Sequence, residues 1–176
     1  MDKEASSQAQ ARRRAWRLLN RGAKLLEQGR ATEAIPPLET AYKLDRESVP
    51  TLINLGGAYV MAGRHKDAVP ILEAACDGEP GNSMIWINLG AAYLGNPILA
   101  TSEQQMQAIH AFQKALELNP AAPNVHYNLG LIFVDRGEKD LAIAAFQKAS
   151  QINPQDRDAQ LWLRRLESEE EADEDD

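Results

Sequence analysis

The chain has 176 residues, 44% of them hydrophobic and 6% aromatic; that is enough for one domain, and no apolar run approaches the roughly 18 residues needed to cross a bilayer. Its formal net charge of −7 is unevenly placed: residues 167–176 hold eight of the 26 acidic side chains and none of the 19 basic ones, so residues 1–166 carry 19 basic against 18 acidic groups, a net charge of +1. A nearly neutral body lacks the basic face that a general nucleic-acid binder needs to displace counterions, and the lone cysteine, Cys76, excludes an internal disulfide framework and predicts a small packed residue in a reducing, cytoplasmic setting.

Residues 1–14 make a polar and basic N-terminal extension. The first ten are either frayed or a polar continuation of the first helix. Arg12, Arg13, Arg14, Arg17 and Arg21 follow as a basic cluster. It is either the solvated face that an end unit requires or a contact for an acidic partner, including the tail of a neighbouring copy. Neither Met1-Asp2-Lys3-Glu4 nor the arginine run leads into an apolar stretch, which predicts no secretory signal.

From residue 15 one phrase returns four times. Trp86, Leu89, Gly90 and Tyr93 stand at i, i+3, i+4 and i+7, on one face of a helix. The frame recurs as Leu52, Leu55, Gly56, Tyr59, then as His126, Leu129, Gly130, Phe133, and more loosely around Gly22. Gly22, Gly56 and Gly90 are 34 residues apart and Gly130 follows 40 later, so the third unit carries a six-residue insertion. A second phrase follows each first: Ala34, Leu38, Ala41; Ala68, Leu72, Ala75; Ala108, Phe112, Ala115; Ala142, Phe146, Ala149. The small residues admit a second helix close to the glycine of the first, and Leu or Phe fills the gap. Each unit is thus a helical hairpin, over residues 15–48, 49–82, 83–122 and 123–156.

Gly29, Gly63 and Gly137 mark the hairpin turns, and Pro80, Pro120 and Pro154 the joints between units. Ser48, Asn82 with Ser83, and Pro123 are cap and first-turn choices at unit starts. Pro36, Pro37 and Pro70 fall early in two second helices and predict that these start late or bend. In the insertion, Gly95, Asn96 and Pro97 stop one helix and Thr101 or Ser102, with Glu103 to Gln105, caps the next. The apolar tip Pro97-Ile98-Leu99 between them either binds a partner or packs down on its own unit. Asp156 caps a helix over residues 157–167 whose Ala159, Trp162, Leu163 and Leu166 cover the last hairpin. Residues 168–176 are a block of like charge, expected to be disordered.

These phrases resemble the tetratricopeptide repeat (TPR) family: the period of 34, aromatic-x-x-Leu-Gly-x-x-Tyr, Ala-x-x-x-Phe and the terminal proline all match its pattern over about residues 15–156. The first unit departs most, with Arg21 where Leu is usual and Arg46 where Pro is usual. The resemblance implies an all-α solenoid of four hairpins with a C-terminal capping helix.

No catalytic or metal-binding pattern accompanies the repeats. His65, His110 and His126 fall in separate contexts without ligand-spaced companions or a recognisable nucleophile turn, and the glycines of the repeat lie inside helices. An enzyme, a cofactor and a bound metal are therefore not expected. What does recur is a second stripe on the first helices, centred roughly 140° from the core stripe. It includes Trp16 and Leu19, Ile53 and Met61, Met84 and Ile87, and Tyr127. Part of it packs against neighbouring first helices, and the surplus predicts an apolar groove. Asn20, Asn54, Asn88 and Asn128 each stand two residues before the glycine, where amides either bond neighbouring units or hold the backbone of an extended chain.

By the resemblance, the stripe lines a concave face where peptide segments lie. The family's clamp for acidic chaperone C-termini uses cations where this chain has Leu19, Met84 and Asn88, and an asparagine where it has Ala23, so an apolar ligand fits better. The expected function is a protein-protein interaction adaptor holding a partner's peptide segment through Asn20, Asn54, Asn88 and Asn128 with Met61, Met84, Ile87 and Tyr127. The rival expectation is assembly with copies of itself through the basic first helix and the acidic tail.

Overall fold

The computed structural model describes residues 2–174, with side chains placed for residues 6–168. Nine helices and no strand occur among the described residues: α1 (Asp2–Glu27), α2 (Ala31–Leu44), α3 (Val49–Met61), α4 (His65–Gly78), α5 (Ser83–Leu94), α6 (Ser102–Leu118), α7 (Val125–Asp135), α8 (Lys139–Ile152) and α9 (Arg157–Glu174). Consecutive helices pack as antiparallel neighbours, making an all-α solenoid.

The pairing has a simple steric cause. A Cβ at Gly22, Gly56, Gly90 or Gly130 would stand 2.4–2.7 Å from Leu38, Leu72, Phe112 or Phe146 respectively, so the absent methyl group is the space into which the second helix fits. The small residues of the second phrase are buried with these large ones and form the centre of each pair. Three turns close alike. Gly29, Gly63 and Gly137 adopt φ of 71°, 72° and 70°, and the following residue's N–H reaches back to the carbonyl of Leu25, Tyr59 or Phe133 at 2.8–2.9 Å.

The joints between pairs are tied by a repeated bond. Trp86 Nε1 donates to the Pro80 carbonyl at 2.8 Å and Gln160 Nε2 donates to that of Pro154 at 2.7 Å. The His126 ring donates to the Pro120 carbonyl from the same place in the repeat. Tyrosines add a second tie: Tyr59 donates to Glu39 at 2.8 Å and Tyr93 to Glu73 at 2.6 Å, each reaching the second helix of the pair before. Phe133 ends the series because it has no hydroxyl. Caps follow the sequence where side chains allow: Asn82 accepts from the Met84 N–H, Thr101 and Gln104 make a reciprocal capping box, and Asp156 accepts from Asp158 and Ala159. Cys76 is buried against the core, which pushes its thiol up to about 11, with Asp77 and Glu73 adding to the shift.

Three expectations need correction. Of the two outcomes expected at the prolines, a late start or a bend, the late start does not occur: α2 and α4 begin at Ala31 and His65, five residues before Pro36 and Pro70. The reason is placement. Pro36 and Pro70 lie on the exposed side, where water can serve the carbonyls of Thr32 and Lys66 that lose a donor, while the buried faces of both helices remain intact. Pro123 lies outside α7, which starts at Val125 after Asn124 takes a left-handed φ of 61°. Of the two readings of the first ten residues, the structure has the continuation of the first helix, which runs from Asp2. The acidic tail is helical as far as Glu174, since Glu and Ala are good helix formers and the segment continues an established helix. Met1 and residues 175–176, the end of that tail, lie outside the described residues.

Candidate functional site

α1 touches α3 and α3 touches α5, so the first helices stand side by side. The second stripe of each faces the same way and divides into two kinds of residue. Leu19, Leu26, Ile53, Val60 and Ile87 are half-buried and pack against the core, and Leu94 is fully buried. Trp16, Met61 and Met84 are 65%, 57% and 51% exposed. An open row of large apolar groups remains after the helices have packed, and among the stripe positions only Glu27 and Asp135 carry charge. Asp135 is engaged: Gln105, a buried side chain, donates to it at 2.6 Å and ties α6 to α7.

The asparagines lie along this row with different amounts of free hydrogen-bonding capacity. Asn20 is exposed. Asn54 Nδ2 donates to the Pro50 carbonyl at 2.8 Å, which leaves its Oδ1 as an acceptor. Asn88 is half-buried beside α3, where a Cβ at Gly57 would stand 3.6 Å from its Nδ2. Asn128 is half-buried on α7. α7 has no contact with α5 as extensive as those joining α1, α3 and α5, so Asn128 and Tyr127 are not brought into the row in the same way. Tyr127 packs edge-on against Phe146, with ring centres 5.7 Å apart, and its hydroxyl takes a hydrogen bond from Trp162 of α9. Burial raises its pKa, with Asp158 and Asp156 adding to the rise.

Sequence reasoning missed a second concavity. A cleft of about 710 Å³ lies where the start of α4 meets the end of α5 and the long turn, lined by His65, Val69, Pro70, Tyr93, Asn96 and Leu99 among others. Gly95, at φ 57°, brings the chain against the His65 ring, whose buried Nδ1 has no hydrogen-bond partner. The six-residue insertion was the available signal. The tip does not pack down: Ile98 and Leu99 are 81% and 77% exposed. Beside the cleft, Arg64 lies 4.4 Å over the Tyr59 ring and 3.6 Å from Glu39. Burial, followed by the bond to Glu39, pushes the Tyr59 phenol up to about 12.

The histidines remain apart. His110 stands edge-on to Trp86 with ring centres 6.4 Å apart, and His126 serves the joint described above. No group of three or more potential metal-ligating side chains occurs among the described residues. Among those residues no helix is long and apolar enough to cross a membrane.

Two family models, both of the tetratricopeptide repeat, match residues 25–86 and 99–157. No curated protein gives a significant sequence match. Among solved structures, the MamA protein is 28% identical with a TM-score of 0.71, covering 86% of this chain and 80% of its own. A thermophilic TPR protein of Thermus thermophilus is 22% identical with a TM-score of 0.70 over the same shares of the two chains, 86% and 80%. YrrB, described as a TPR protein with an unusual peptide-binding site, is 22% identical with a TM-score of 0.65, covering 88% of this chain and 76% of its own. With its phrase-bearing helix pairs and these matches on both halves, the chain belongs to the tetratricopeptide repeat family.

Proposed function

We propose that the protein is a non-enzymatic adaptor that holds a segment of another protein along the row formed by its first helices. The observation that carries this reading is the exposure of Trp16, Met61 and Met84 in line with Asn54 and Asn88. Apolar surface left open beside amide groups suits a chain that offers both side chains and backbone. Burial of the apolar groups supplies affinity at about 25 cal/mol per Å², and the amides hold the backbone with little regard to sequence. Met61, Met84 and Ile87 form the pockets and Asn20 lies at one end; Tyr127 and Asn128, on α7, stand outside this row. The peptide-binding site named for YrrB is support by likeness of fold. The lone buried thiol fits a cytoplasmic setting.

The test is selection from a peptide library on the intact protein, followed by affinity measurement on the wild type, on Met84→Glu and on the Asn54→Ala, Asn88→Ala double variant, each shown to melt like the wild type. Selected peptides should carry apolar anchors. Met84→Glu should weaken them at least tenfold, because a carboxylate then faces the anchor. The double variant should weaken all of them alike, by roughly tenfold, if each amide contributes about 0.5–1.5 kcal/mol. Peptides that bind all three proteins equally would overturn the assignment.

A further inference from the structure

The two ends of the solenoid carry a relation that the groove does not use. Each later first helix stacks on the pair before it through one stripe: Thr51, Leu55 and Ala58 on α3, and Ile85, Leu89 and Ala92 on α5, are all buried. The residues 34 positions before Thr51, Leu55 and Ala58 are Arg17, Arg21 and Lys24, all exposed. The face that would stack on a preceding unit is thus open on α1, and it is cationic. Arg13 lengthens it: Arg13, Arg17, Arg21 and Lys24 fall within about 80° of one another at 100° per residue. None of the four forms an ion pair among the described residues.

At the other end, α9 stacks on α8 through the same stripe, with Ala159 and Leu166 buried, and among the described residues no second helix packs on it. Its backbone continues to Glu174, and Glu167, Glu170, Glu171 and Glu174 recur at i, i+3, i+4 and i+7. Solubility requires a terminal unit to be polar. It does not require one sign at one end and the opposite sign at the other. The shorter acidic stretch fits within the basic one: at 1.5 Å per residue, Arg13 to Lys24 spans roughly 16 Å and Glu167 to Glu174 roughly 10 Å.

We propose that the open stacking face of α1 is a docking site for the acidic end of α9 from a second copy. The two surfaces differ, so a joined pair still has one free α1 and one free α9, and association continues beyond the dimer. Exposed charge pairs are weak singly and are screened over about 10 Å at 0.1 M salt. The assembly is therefore reversible and shortens as ionic strength rises.

Sedimentation velocity on the full chain tests this at about 10 mM and about 500 mM salt. The wild type should show at least twice the monomer mass at low salt and the monomer mass at high salt. Arg13→Glu with Arg17→Glu, and separately Glu170→Lys with Glu171→Lys, should each be monomeric at low salt while keeping wild-type helicity and melting. An equal mixture of the two double variants should regain at least a dimer, because the intact α1 of one meets the intact α9 of the other. A wild type that stays monomeric at low salt overturns the proposal, even if it binds an oligonucleotide or an unrelated acidic peptide through α1. So does association that survives in either variant, or a mixture of folded variants that stays monomeric.

Discussion

At Gly90 a Cβ would stand 2.5 Å from Phe112 Cε1, on a fully buried ring with nowhere to move, whereas at Gly57 the nearest atom would be the Asn88 amide at 3.6 Å. Both glycines lie inside helices, where alanine is favoured by about 1 kcal/mol. Gly90→Ala should nevertheless destabilise the protein, since overpacking costs about 1–3 kcal/mol. Gly57→Ala should stabilise it by up to about 1 kcal/mol. Urea midpoints of the two variants check both signs. His126 offers a pH-dependent case. Burial lowers its pKa; the bond to the Pro120 carbonyl opposes that shift and Lys148 adds to it. A base whose folded value lies below its ordinary one prefers to be neutral in the fold. Its contribution is complete above the ordinary imidazole pKa of about 6.5 and is lost as pH falls through the folded value. Gln160 makes the same proline-carbonyl bond without titrating near neutrality. In His126→Gln, the fall in melting temperature from pH 7.5 to 5 should therefore be smaller than in the wild type.

Among elements, α6 departs most from its counterparts, with 17 residues where α2, α4 and α8 each have 14. The three added residues, Ser102 to Gln104, come just before Gln105, which ties α6 to α7 across a joint with less helix contact than the α4–α5 joint. Gln105→Met keeps the volume and removes the bond. Because Asp135 is exposed and can be rehydrated, the loss should be about 1 kcal/mol, and hydrogen exchange should quicken in α7 more than in α3. The six-residue surplus was legible from the glycine spacing, but its division between turn and helix was not. The Gln105–Asp135 pair joins residues 30 apart, beyond the reach of any pattern within one helix. The paired helices were legible for the opposite reason: Gly56 with Leu72 and Gly90 with Phe112 state their packing within a single period. The candidate groove falls between these cases. Spacing placed Met61, Met84 and Asn88 on one stripe, yet it could not tell that Leu94 is taken up by the core or that Asn54 already bonds Pro50.

In the whole molecule each pair of helices leans only on its neighbours, so stability is the sum of local terms and can be lost at one end first. The C-terminal end depends on α9. Trp162 stacks on Phe146, with ring centres 5.8 Å apart and planes 2° from parallel, and the Arg165 guanidinium lies 5.4 Å from the centre of the Trp162 ring. Trp162→Ala should cost about 2–3 kcal/mol, at the low end for an aromatic truncation because the ring is only half-buried. The loss should appear as early exchange in α7 and α8 while α3 and α4 stay protected, and a single uniform melt would contradict it.

The protruding turn has a practical consequence. A protease that prefers leucine should cut first after Leu99, which is exposed in a turn between two long helices. α5 and α6, on either side of the cut, share the most extensive helix contact among the described residues. The fragments 1–99 and 100–176 should therefore stay together after cleavage, and should reassemble when they are synthesised as separate chains.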